Sequence, residues 1–168
     1  MKKTINFILV SFCLLMAVMT GVPAQAQSGA VNGFDVSSIL YIDYPDPDFP
    51  GVNMKKDIPS ILKNNGFELS SSKTTELSDW DEELGEEIKE ICREDTYNKN
   101  GLSVSLTSRT DDNFCYFVTF IFPNISSRDE FIKSATQFGF KKDSSDMYVM
   151  GTVMFTIEGN EIVLRYNT

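Results

Sequence analysis

The chain has 168 residues, of which 24 are acidic and 15 basic, and it contains no histidine. Without histidine, Ser-His and Cys-His nucleophile pairs and imidazole-bearing zinc or haem sites are excluded. A net charge of −9 sets the surface against nucleic acid and anionic lipid, leaving basic proteins, cations and neutral ligands as partners.

Lys2 and Lys3 precede an apolar run over residues 5–19 that only Asn6 and Ser11 interrupt. Thr20, Gly21 and Pro23 then break the run ahead of Ala24-Gln25-Ala26. This pattern predicts a cleaved signal peptide over residues 1–26, with Ala24 and Ala26 marking the cleavage site. The run is short for a membrane span, and Cys13 behind bulky Phe12 is poorly placed for lipid attachment. The expectation is an exported protein, periplasmic or extracellular, with no stable membrane insertion after cleavage. Cleavage removes two lysines and no acid, taking the net charge from −9 to −11.

Residues 27–33 are small and polar and read as a flexible leader, followed by a single domain over 34–168 with halves at about 34–113 and 114–168. Ile39-Leu40-Tyr41-Ile42-Asp43-Tyr44 reads as a strand, stopped by a stiff loop carrying Pro45, Pro47 and Pro50. Met54, Ile58, Ile61 and Leu62 fall on one helical face, with Pro59 in the first turn and Asn65-Gly66 as the stop. A second helix is predicted from Ser78, because Leu77, Trp80, Leu84, Ile88, Ile91 and Cys92 share one helical arc.

Asn100-Gly101 turns the chain into a strand in which Leu102, Val104 and Leu106 alternate with Ser103, Ser105 and Thr107. Asp111-Asp112-Asn113 turns it again into residues 114–122, apolar on both faces and so a central strand. Ser127 and Glu130 form a capping box for a third helix, with Phe131, Ile132, Ala135 and Phe138 inward and Gly139 as the stop. Residues 148–157 and 161–166 then flank a hairpin turn at Gly159-Asn160. The predicted fold is α+β: an antiparallel sheet with about three helices packed on one face.

Tyr41-Ile42-Asp43-Tyr44-Pro45, a helix and Asn65-Gly66-Phe67 parallel Phe120-Ile121-Phe122-Pro123, a helix and Phe138-Gly139-Phe140. A tandem strand-helix-strands duplication is the economical reading. The alternative is that helices before strands commonly end this way. The tandem layout resembles that of the β-lactamase inhibitory proteins; the resemblance is one of layout, and no motif carries residues across.

Residues 79–95 hold nine acids, Asp79, Asp81, Glu82, Glu83, Glu86, Glu87, Glu90, Glu94 and Asp95, against Lys89 and Arg93. On a helix, five like-charged pairs would stand four apart, costing about 0.2–0.5 kcal/mol each. Glu82, Glu83, Glu86, Glu87, Glu90 and Glu94 are therefore the candidate face for a basic protein partner, beside the plainer reading of a solvated surface. Asp43, Asp46 and Asp48 around the proline-rich turn form a weaker candidate for a Ca2+ loop. Asp79-x-Asp81-x-Glu83 starts like a calcium loop, but Leu84 stands where glycine is required. Cys92 and Cys115, in an oxidising compartment, are expected to form a disulfide contributing about 3 kcal/mol.

The rings of Phe114, Tyr116, Phe117, Phe120 and Phe122, with Tyr148, Phe155 and Tyr166, read chiefly as core, and Trp80 as a core anchor at a helix start. Asn124-Ile125-Ser126 fits a glycosylation acceptor in a eukaryotic host. No catalytic motif and no cofactor motif stands out. The expectation is a small exported, non-catalytic binding protein; a ligand- or cation-binding module is second, and an enzyme working through carboxylates third.

Overall fold

The computed structural model describes residues 35–43, 48, 51–81, 85–144 and 146–166, with the backbone alone for 79–81. The predicted signal peptide, Ala24 and Ala26 at its cleavage site, and the leader lie outside the described residues.

After a 3-10 turn at Val36–Ser38, β1 (Leu40–Ile42) and β2 (Val52–Met54) pair as a small antiparallel ribbon, and α1 (Ile58–Asn64) follows. β3 (Glu68–Asp81), β4 (Glu86–Lys99), β5 (Leu102–Arg109) and β6 (Cys115–Ile121) then run as a meander. The chain crosses through α2 (Ile125–Phe138) to a second meander of β7 (Lys141–Lys142), β8 (Met147–Met150), β9 (Val153–Glu158) and β10 (Glu161–Tyr166). All eight strands join one antiparallel sheet in the order β3-β4-β5-β6-β10-β9-β8-β7. Alternation of direction makes β6 and β7 parallel, and a parallel connection needs a crossover such as α2.

The expected three-helix arrangement is not what forms: the described residues hold two helices, and the acidic segment predicted as the middle helix is a β-hairpin. Gly85 explains much of this. It sits at φ +67 in the turn between β3 and β4, whereas mid-helix it would cost about 1 kcal/mol relative to alanine. The hairpin still sets two acids opposite one another at its last rung, Asp81 with Glu86. Trp80 accordingly lies in β3 rather than at a helix start.

The expected strand-helix-strands repeat is also corrected. The segment at residues 39–44 supplies β1 of the separate ribbon, whereas its supposed counterpart, β6, is central in the large sheet. What does recur is a helix, a glycine of positive φ (Gly66, +80; Gly139, +138), a buried phenylalanine (Phe67; Phe140) and a four-stranded meander.

Both helices bury their apolar stripes in one cluster with alternate residues of the sheet. Ile58 and Leu62 of α1, and Phe131 and Ala135 of α2, join Leu102, Val104, Leu106, Val118 and Phe120 there. The α1 stop operates as read: the carbonyl of Asn65 accepts from Lys99 Nζ at 2.7 Å, and Lys99 lies over the Phe67 ring. At α2 the cap is three residues earlier than Ser127, because the Asn124 side chain accepts from Ser127 N at 2.9 Å. Asparagine is as good an N-cap as serine, and the better-placed one wins. The strand read over 148–157 is divided by a turn at Gly151-Thr152 into β8 and β9. Among the rings, Phe120, Phe122 and Phe155 are fully buried, whereas Phe114, Tyr116, Phe117, Tyr148 and Tyr166 are partly covered.

Candidate docking surface

β3 and β4 stay paired to their last rung, Asp81 with Glu86, but β5 reaches only as far as Cys92. The six rungs from Glu76–Ile91 to Asp81–Glu86 therefore have no third strand among the described residues. At about 3.3 Å per residue, this two-stranded arm runs roughly 20 Å past the end of β5. Residues 76–91 hold eight acids and a single base, Lys89. Glu86, Glu87, Ile88 and Lys89 are exposed, and Ile88 and Ile91 keep 43% and 51% of their surface in water.

The strand alternation redistributes the residues proposed as one helical face. Glu82 and Glu83 lie outside the described residues. Glu86, Glu90 and Glu94 share one side of β4, and Glu87 faces the other. Glu94 is tied to Lys73 across the ladder at 3.2 Å, and Lys89 bonds Glu76 diagonally at 2.9 Å. Such exposed pairs add at most about 1 kcal/mol each. For Glu86 and Glu87, no ion pair is made among the described residues.

Glu90 sits at the root of the arm in a cluster that sequence reading did not anticipate. Tyr116 OH donates to its carboxylate, and Arg109 Nε stands 3.7 Å from the other oxygen. Arg109 also reaches Asp111 at 3.0 Å and donates to Asp112, whose Oδ1 accepts from Phe114 N at 2.9 Å. The Arg109 guanidinium lies over the Phe114 ring, which stacks on Tyr166 of β10 with centroids 5.4 Å apart. The arm root is thereby fastened to the middle of the sheet. The sequence signal for this cluster is local: Arg109 ends a strand immediately before the turn acids it binds.

These contacts shift the groups involved. The Arg109 hydrogen bond holds Asp112 down to about 2, and the same bond holds Arg109 above its ordinary value. The hydrogen bond to Glu90 pushes Tyr116 up to about 12. Burial raises Cys92, and burial pushes Cys115 up to about 11. Near neutral pH both thiols are protonated, so neither supplies a thiolate nucleophile.

The expected disulfide is replaced by two free, buried thiols. Cys92 pairs with Arg109, and Cys115 pairs with Ser108. Arg109 and Ser108 are successive residues of one strand, so the two sulfurs lie on opposite faces of the sheet, two strands apart. No bridge can close across that geometry. In denaturant without reductant, both thiols should alkylate with iodoacetamide, while in the native protein they should react far more slowly. An unmodified mass in denaturant would show a bridge after all.

The candidate cation loop is described only in part. Asp43 accepts from the Asn53 side-chain amide, Asp48 is exposed, and Asp46 lies outside the described residues. No three acidic or cysteine side chains converge as metal ligands among the described residues. None of the described helices is long and apolar enough to cross a membrane. No protein-family model, curated protein or solved structure matches this chain.

Proposed function

We propose that this is an exported, non-catalytic docking protein whose acidic β-hairpin arm engages a basic protein partner. The observation supporting this is the arm itself: six rungs standing clear of β5, with eight acids against one lysine over residues 76–91. Acids projected beyond the sheet act on an approaching partner through solvent, where they speed encounter and favour basic surfaces. Ile88 and Ile91, both exposed on the arm, add apolar contact of the kind that interfaces bury. The anchoring of Glu90 through Tyr116 and Arg109 limits the motion of the arm, which reduces the entropy lost on binding.

The test is capture from the producing organism's own envelope and secreted fractions, with the protein as bait. A bait carrying Glu82→Gln, Glu83→Gln, Glu86→Gln and Glu87→Gln serves as control. The expected result is one basic protein held by the wild type, released at moderate salt and absent from the variant. Equal retention by both baits would remove the arm from the interaction. A blank with the wild type would overturn the docking reading.

A further inference from the structure

The two edges of the large sheet are built differently. The far edge ends in β7, a strand of two residues that are both exposed lysines. Short, charged edge strands are the usual means of keeping a sheet from pairing with other chains. The near edge is β3, fourteen residues long and without a proline. Its register irregularity falls near its start, between Leu69 and Ser71, and the rungs beyond run regularly to Asp81. Among the described residues, β3 pairs on one side only, with β4. Among the described residues, no strand pairs with the outer row of its backbone donors and acceptors.

We infer that the partner is held by strand addition: an extended segment bearing lysine or arginine pairs along the open edge of β3. This rests on the reading of the arm as the docking element and specifies how that element binds. A two-stranded ribbon is marginal in water, and from Ile91 outward the arm has two strands among the described residues. A third strand would continue the hydrogen-bonded ladder outward over that stretch, the mode by which extended peptides add to open sheet edges.

Charge selects the occupant. A second copy of this chain would bring the same acids of residues 76–91 and a further net charge of −9. Like charges placed opposite one another across strands are destabilising. A basic segment reverses that sign, and the sequence of the edge strand carries Glu76, Asp79 and Asp81. Nearer the root, Lys73 is already paired with Glu94, so the acidic stretch lies on the part of β3 that projects. Ser70, Ser71, Ser72, Thr74 and Thr75 are small and polar, so an added strand needs no apolar match there.

The experiment titrates the purified protein at low ionic strength with a ten-residue peptide alternating lysine and threonine. The same peptide N-methylated at every residue is titrated beside it. Methylation keeps the charge and removes every backbone donor. The unmodified peptide is expected to bind about tenfold tighter or better and to slow amide hydrogen exchange across residues 74–81. Equal affinities without such protection would overturn strand addition while leaving the acidic arm as a docking element. If neither peptide binds, the docking reading falls and the inference falls with it.

Discussion

Replacing Phe131 by alanine is expected to cost about 3–5 kcal/mol of stability and to lower Tm by roughly 10–20 °C for a domain of this size. Phe131 is the side chain by which α2 enters the core. Its ring lies 4.9 Å from that of Phe120 and 5.3 Å from that of Phe122, and it is 2% exposed. Truncation leaves a void between the helix and β6, and neither the helix cap at Asn124 nor the stop at Gly139 allows the helix to slide in and fill it. Ile125 begins the same helix at 57% exposure, so Ile125→Ala should change stability by less than about 0.5 kcal/mol. Thermal unfolding followed by circular dichroism measures both. A loss below about 1 kcal/mol for Phe131→Ala would mean that α2 does not pack as described.

Gly151→Ala is the second large effect, at about 2–4 kcal/mol. Gly151 turns β8 into β9 at φ +55, and an added Cβ would stand 2.8 Å from Val52 N and 3.2 Å from Gly51 Cα. Those neighbours are backbone, and the next residue, Thr152, fastens the same ribbon by donating to Val52 O at 2.6 Å. The turn cannot relax without releasing β2. Gly159 provides the comparison: at φ +57, nothing lies within 4 Å of its added Cβ. Gly159→Ala should therefore show backbone strain alone, about 1 kcal/mol. Equal losses at the two positions, measured by denaturant unfolding, would rule out the close approach at Gly151.

These two sites mark what the sequence makes legible and what it does not. Phe131 and Gly139 were readable because the helix between Asn124 and Gly139 carries a helical apolar period, with a cap at one end and a glycine at the other. β5 was readable because Leu102, Val104 and Leu106 alternate cleanly with Ser103, Ser105 and Thr107, and the structure buries that set. The contact of Gly151 with Val52 joins segments 99 residues apart in sequence, and no local pattern announces it. The acidic segment misleads for a different reason. Leu77, Trp80, Leu84, Ile88, Ile91 and Cys92 satisfy a helical period by spacing alone, while Ile88, Ile91 and Tyr97 have the branched and aromatic character of a strand. Gly85 was the deciding residue, since a turn uses its positive φ and a helix is weakened by it. Once the segment is a hairpin, the candidate site changes with it, from one acidic face to an arm whose root is held by Glu90, Tyr116 and Arg109.

The strand order has a consequence for how the molecule is assembled in time. β10, the last strand of the second meander, lies between β6 and β9, and among the described residues its ladder with β6 is the one strand pairing between the two meanders. Until residues 161–166 are available, β6 and β9 each present an unpaired edge, with Val118, Phe120 and Phe155 beneath. Contacts this distant in sequence are slow to form, and open apolar edges are where incomplete chains stick to one another. A protein that closes at its centre last gains from remaining unstructured until the whole chain is present. A route that delivers the chain unfolded and releases it complete would provide those conditions.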